Sequence, residues 1–252
     1  MKKLIYTLAV VLTGVATVNA QTTDTAKTKW HHKHEFAGAA EIQGTYRPYN
    51  LDALNSTLAG AGISPVSRND FWINLSMSHI NKKWLFEDGI GFTPFSESES
   101  NGIKTRFNQY NAFARLGYDV AQSSDFRLYP FVGLNLTAAV LNIQDNKREQ
   151  NVTNFSQELL NSTSSKTLYQ KNFGIEVGAG FDYLIKLKSK KMDCFEIERN
   201  IPIGVRAGYY FNTYTSDWKI NDYSLNNGPN NKQSAVFITL NVGLGYKIKK
   251  KL

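Results

Sequence analysis

One stretch near the end of the chain constrains the fold more than any other. From Val236 to Ile248 the residues alternate: Val236, Ile238, Leu240, Val242, Leu244, Tyr246 and Ile248 share one parity, while Phe237, Thr239, Asn241, Gly243, Gly245 and Lys247 share the other. Side chains alternate across a β-strand, so this segment reads as a strand with one greasy face and one small, mostly polar face. A strand of a soluble sandwich could look the same. The rest of the chain decides between the two.

The same period recurs through the sequence. Expected strands are Phe36–Arg47, Asp70–Ile80, Trp84–Phe95, Arg106–Val120, Phe126–Ile143, Thr167–Leu187 and about Phe195–Tyr214, with Val236–Ile248 as the eighth. Asp88 falls on the greasy parity of its strand, which marks a bulge or a slip of register there. Pro202 lacks an N–H, so the strand around it is expected to be irregular or to protrude. The connections alternate as well. Asn81–Lys83, Ala121–Asp125 and Ser189–Cys194 are short; Pro48–Asn69, Ser96–Lys104, Gln144–Lys166 and Ser216–Lys232 are mostly long and polar. Leucines at helical spacing, Leu51, Leu54 and Leu58, predict a short helix in the first long loop.

The first twenty residues carry a basic start, Lys2-Lys3, an apolar run from Leu4 to Leu12 and a small-residue end, Val18-Asn19-Ala20. This is the three-part pattern of a secretory signal peptide, so residues 1–20 are expected to be removed and the mature chain to begin at Gln21. No apolar run after Ala20 is long enough for a helical span. A single cysteine, Cys194, excludes an internal disulfide. Residues 21–35 read as a polar periplasmic leader. They include His31, His32 and His34, but without a cysteine or a clear ligand spacing no metal is assigned to them. The chain carries +8 at neutral pH. An exported protein rarely meets nucleic acid, so none is expected as a partner.

Short turns at one end, long loops at the other and about eight alternating strands are the layout of an up-and-down transmembrane barrel. The aromatics agree by position, with Trp84, Tyr118, Phe126 and Tyr246 at the short-turn end and Tyr46, Phe71, Tyr110 and Tyr209 toward the long loops. With the export signal, the segment from Phe36 to Leu252 resembles the small eight-stranded outer-membrane β-barrel family of Gram-negative bacteria. The runs Phe173–Tyr183, Ile201–Phe211 and Val236–Tyr246 carry that resemblance. It implies an all-β, eight-stranded antiparallel barrel over residues 36–252 and a place in the outer membrane. It further implies a monomer whose partners are outer-membrane lipids and the barrel-insertion machinery. The chain departs from the family by ending Lys249-Lys250-Lys251-Leu252, where many members end on an aromatic residue.

If the greasy face meets lipid, the other face lines the lumen with Glu41, Arg47, Glu87, Arg115, Asp119, Glu176, Asp182 and Arg206. Eight strands enclose a space that side chains can fill, so these charges are expected to pair as a structural plug built around Arg115, Arg206, Glu176 and Glu87. A gate or proton-binding role is the alternative. Lysines at the short-turn end (Lys82, Lys83, Lys186, Lys188, Lys190, Lys191 and the tail from Lys247) would lie beside an anionic leaflet, at about 1 kcal/mol each. No catalytic group is assigned: Ser76 and Ser78 share the lumen face while His79 points to lipid. No cofactor is assigned either. The leading functional expectation is a non-enzymatic barrel whose long loops support the envelope or bind an extracellular ligand. The alternatives are a small-solute channel and a soluble lipocalin-like carrier with its greasy face inward.

Overall fold

The computed structural model describes residues 36–121, 123–145, 165–191, 195–230 and 233–250, all within the compact unit His34–Leu252. The expected signal peptide, the leader with its three histidines, and Cys194 lie outside the described residues.

Eight long strands pair antiparallel in a ring: β1 (Phe36–Tyr46), β2 (Phe71–Asn81), β3 (Trp84–Phe92), β5 (Ile103–Tyr118), β6 (Phe126–Asp145), β7 (Ser165–Lys191), β8 (Phe195–Thr215) and β11 (Ala235–Lys250). Each pairs with its chain neighbour among these eight, and β11 pairs with β1 from Tyr46↔Ile238 to Phe36↔Ile248. That last pairing closes the sheet, so no long edge is left open to lipid. The ring is staggered. Directly opposed residues lead from Tyr183 in β7 through Ile203, Val242, Ile42, Leu75, Ile90, Ala112 and Leu136 back to β7 at Phe173, ten residues away. Eight strands with that stagger tilt at about 40° to the barrel axis, within the range of closed barrels.

The greasy parity faces outward. Ile42, Leu75, Ile90, Leu134, Leu136, Leu240 and Leu244 are all exposed, Leu240 by 65%. A row of large aliphatics left on the outside of a sheet is the signature of a lipid-facing wall, and this orientation is the reverse of a lipocalin-like carrier. Aromatics bound the wall on both sides. Trp84 packs edge-on against Tyr118 and Phe126 lies against Phe181 near the short turns. Tyr46, Phe71, Phe92, Tyr110 and the contacting pair Tyr209–Phe211 stand toward the long loops. The fold is an eight-stranded up-and-down transmembrane β-barrel.

Two local expectations are corrected, and a third, at Pro202, is met in part. Asp88 sits opposite Met77 and Ala114 in unbroken register, so it faces outward without a bulge or a slip. At Pro202 the expected irregularity appears, on one side of β8 only. Pairing with β7 continues through Leu184↔Pro202, and only the β11 ladder lapses, between Val242↔Ile203 and Gly245↔Asn200. The missing N–H is thus confined to one side of the strand. Ser96–Lys104 is not a loop. Ser96–Ser100 forms β4, which pairs with Ile103–Phe107 to lengthen the hairpin. Its two-residue turn, Asn101-Gly102, has φ of 55° and 74°, the left-handed pair that suits the twist of a hairpin. The last long loop likewise contains a small hairpin, β9 (Lys219–Ile220) and β10 (Tyr223–Ser224), with β9 added beside β7.

At the β4–β5 tip, Lys104 Nζ and Arg106 Nε lie 2.5 and 2.7 Å from the Glu97 carboxylate. Hydrogen bonds from these two cations hold the Glu97 carboxyl below the usual range. A depressed carboxyl favours the paired state above its ordinary value and loses that effect as the pH falls through the lowered one. The amide shifts of Ser98 and Thr105, followed by NMR in micelles, should therefore move through a titration step below about pH 4.3. Glu97→Gln should abolish it; an unchanged step in that variant would mean that the pair is not formed in solution.

Candidate functional site: buried charges inside the ring

Inward-pointing residues come from every strand of the ring, and the register brings most of the expected charges together. On β5, Arg115 lies opposite Glu87 of β3. Its Nε donates to Glu176 Oε2 of β7 at 2.8 Å, and its Nη1 lies 3.5 Å from Glu87 Oε2. On β8, Arg206 Nη2 donates to Glu41 Oε2 of β1 at 2.8 Å, and Nη1 stands 3.6 Å from Glu87 Oε1. Glu87 therefore stands between both guanidiniums. All five residues are buried. Asp182 joins through neutral groups: Tyr129 Oη accepts from Arg206 Nε at 2.9 Å and donates to Asp182 Oδ2 at 3.1 Å. Asn241 Nδ2 donates to both Asp182 and Glu41, at 3.2 Å each. Buried charges are tolerated where partners of this kind are supplied.

Asp119 does not belong to this group. It lies just past the end of β5, where its Oδ1 accepts from the backbone N–H groups of Ala121 and Leu128 and shapes the short turn. Parity alone carried it inward, but the strand has ended by that residue. Arg47, in contrast, is a full member. Its guanidinium is sandwiched between the Trp72 and Tyr210 rings, with Cζ 4.3 and 4.5 Å from their centroids, and Nη1 is 3.7 Å from Glu176 Oε1. Cation–π contacts on both faces suit a cation with little water around it. Its parity placed it on the lumen face; its role with two aromatics was not legible from spacing.

Neutral polar groups complete the shell. Gln43 Nε2 donates to Glu87 and to Ser76 Oγ, and Asn135 Nδ2 donates to Glu176 Oε1 at 2.7 Å. These residues share the inward parity, so the alternation could have found them; nothing in the sequence says which carboxylate each one serves. Aromatic rings fill the remaining space. Arg115 lies over Phe113, at 4.2 Å, and near Phe131 and Phe237. Two glycines of β7 make room for the tyrosines: a Cβ at Gly174 would meet the Tyr210 ring at 2.2 Å, and one at Gly180 would meet Tyr129 at 2.5 Å. The interior is a mixed layer of guanidiniums, carboxylates and aromatic rings.

Toward the long loops the interior passes through buried polar residues, Thr137, Asn172, Gln109 and Gln170, to an apolar cluster. The expected helix forms as α1 (Asp52–Gly60) and buries Leu54 and Leu58, together with Leu51, against Phe107, Ala139, Leu141, Tyr49, Val66 and Trp218. Burying each leucine is worth roughly 1.5–3 kcal/mol. Asn55 fastens the loop, donating to Val66 O and accepting from Val66 N, both at 3.0 Å. Burial pushes the Tyr49 hydroxyl up from its usual value. The cap thus lies over the long-loop mouth of the barrel.

Ser76 and Ser78 are buried on the lumen face, whereas His79 pairs with Phe86 on the opposite face. These three do not form a nucleophile–base pair. Among the described residues no group of three or more His, Cys, Asp or Glu side chains is placed to hold a metal ion.

No protein-family model matches the chain, and none of the curated proteins matches it. Solved structures do. The attachment invasion locus protein Ail of Yersinia pestis is 14% identical, with 86% of this chain and 99% of that one covered at a TM-score of 0.36. Neisserial surface protein A is also 14% identical, with 85% and 96% covered and a TM-score of 0.36. A major outer membrane protein from Thermus thermophilus is 11% identical, with 83% and 98% covered and a TM-score of 0.38. The assignment to the transmembrane barrels rests on the closed ring and its apolar wall, not on these similarities.

Proposed function

We propose that the protein is a non-enzymatic, non-conducting barrel of the bacterial outer membrane, exported by its N-terminal signal, whose long loops present a surface outside the cell. What supports this reading is that side chains fill the interior of the ring at two levels. Glu41, Glu87, Glu176, Arg47, Arg115 and Arg206 occupy the middle with aromatic rings between them. The apolar cluster under α1 covers the mouth. A solute would have to break buried ion pairs to pass, which argues against a channel. On the outer side, Phe95, Tyr214 and Tyr223 are strongly exposed beyond the lipid wall, Tyr223 by 76%, and supply contact area for an extracellular ligand.

Reconstitution in planar bilayers tests the closure. The expected result is no steady conductance, both for the protein and for a variant lacking residues 52–60, because the charged layer lies beneath the cap. Steady large conductance from the intact protein would support the channel alternative instead. Opening only on removal of α1 would assign the seal to the cap rather than to the charges.

A further inference from the structure

The short-turn end of the barrel is lopsided. β2 turns into β3 at Lys82–Lys83, and β5 ends at Tyr118 before β6 starts at Phe126. Yet β7 runs eight residues beyond Tyr183 to Lys191, paired with β8, which in turn pairs with β11 as far as Lys250. At the axial rise set by this tilt, the three-stranded flange reaches about 15–20 Å past the aromatic girdle.

The flange also holds the protein's excess charge. Its described residues include eight basic ones, Lys186, Lys188, Lys190, Lys191, Arg199, Lys247, Lys249 and Lys250, against Glu196 and Glu198. Beyond residue 20 the chain has 27 basic and 21 acidic residues, since Lys2 and Lys3 account for two of the 29. Setting the flange aside leaves nineteen of each sign, so the remainder is neutral and the flange carries all of the +6.

The charge is ordered. Glu198 and Glu196 lie opposite Lys247 and Lys249, and Lys186 pairs with Asp125 at 2.6 Å. Lys188 and Lys190 make no ion pair among the described residues and are both exposed. A register shift between Leu187 and Lys190 gives β7 one extra residue there. Lys186 therefore keeps the inward parity, while Lys190 comes opposite Ile197 and turns to the outer face. The flange thus places lysines on both of its faces, Lys186 engaged by Asp125 and Lys190 in no ion pair among the described residues.

We propose that this flange is a docking face for a carboxylate-bearing polymer of the periplasm, the peptide-crosslinked cell wall. The inference rests on the outer-membrane reading above. Two features favour such a polymer over lipid headgroups. The headgroup layer is only roughly 5–8 Å deep on each side of the hydrocarbon, so Lys188 and Lys190 extend beyond it. A headgroup plane could also meet only one face of the flange, whereas a cross-linked mesh can meet both. Cations spaced along a paired strand suit a chain of repeated anions, because each added contact is gained at high effective concentration.

The full-length protein in detergent micelles can be co-sedimented with purified peptidoglycan sacculi. It is expected to pellet at low salt and to be released as salt is raised. Lys188→Glu with Lys190→Glu, which takes the flange from +6 to +2, should weaken retention about tenfold. Lys166→Glu with Lys171→Glu, at the opposite end of β7, should leave it unchanged. Should the charge reversal disturb folding, Lys188→Gln with Lys190→Gln reads the same loss at smaller amplitude. A folded, heat-modifiable protein that stays in the supernatant, or that pellets regardless of Lys188 and Lys190, overturns the proposal and leaves the barrel reading intact. Retention on anionic phospholipid vesicles but not on sacculi overturns it in favour of lipid. A protein that never acquires heat-modifiable migration would instead count against the barrel reading.

Discussion

Arg206→Leu is expected to cost about 3–5 kcal/mol of folding stability. Arg206 is fully buried and meets Glu41, Glu87 and Tyr129 through Nη2, Nη1 and Nε. Removing the guanidinium leaves Glu41 with Asn241 as its hydrogen-bond donor among the described residues, and a buried carboxylate short of partners bears most of the penalty. The double variant Arg206→Leu with Glu41→Leu should recover part of the loss, since a buried pair replaced by apolar groups is close to neutral. Urea-titrated folding into lipid vesicles, scored by gel mobility, measures both. A loss under about 1 kcal/mol, the scale of an exposed pair, would mean that water fills and screens the lumen, and the plug would have to be abandoned.

Leu240→Lys is the second large effect, at roughly 2–4 kcal/mol. Leu240 is among the most exposed aliphatics on the outer wall, so a cation there faces hydrocarbon. One residue on, Asn241→Lys should lose less, because its side chain already lies against Glu41 and Asp182. The structure adds a dependence on sign: Asn241→Asp would bring another carboxylate into an acidic corner and should be the worse of the two charged replacements, whereas at Leu240 either sign is costly. Equal losses for lysine at both positions would contradict the inside–outside assignment.

Much of the barrel was legible because a strand has a period of two and a membrane wall needs one apolar face. Ile42, Leu75, Leu134 and Leu240 fell on the correct side from parity alone. The same rule put Glu41, Glu87, Glu176 and Arg206 inside. It erred at Asp119, since parity keeps counting after a strand has stopped. It also treated Ser96–Lys104 as a loop because Ser and Glu resemble loop composition, whereas cross-strand Glu97–Arg106 and Glu97–Lys104 contacts and the Asn101-Gly102 turn make a hairpin of them.

What the sequence by itself determined, then, is where the eight long strands run, which face of each is greasy, and most of the charges that share the interior. Local alternation suffices for that, because the direction of a side chain depends only on its own strand. Which charge meets which was decided by the tertiary structure. A ten-residue stagger around the ring brings Arg206 beside Glu41 and Tyr129, and sets Arg47 between Trp72 and Tyr210. Stagger is a property of the closed ring, summed over all of its pairings, so no single strand carries it. The cap follows the same rule: Leu54 and Leu58 predict a helix, but only the assembled mouth of the barrel gives that helix a surface to cover.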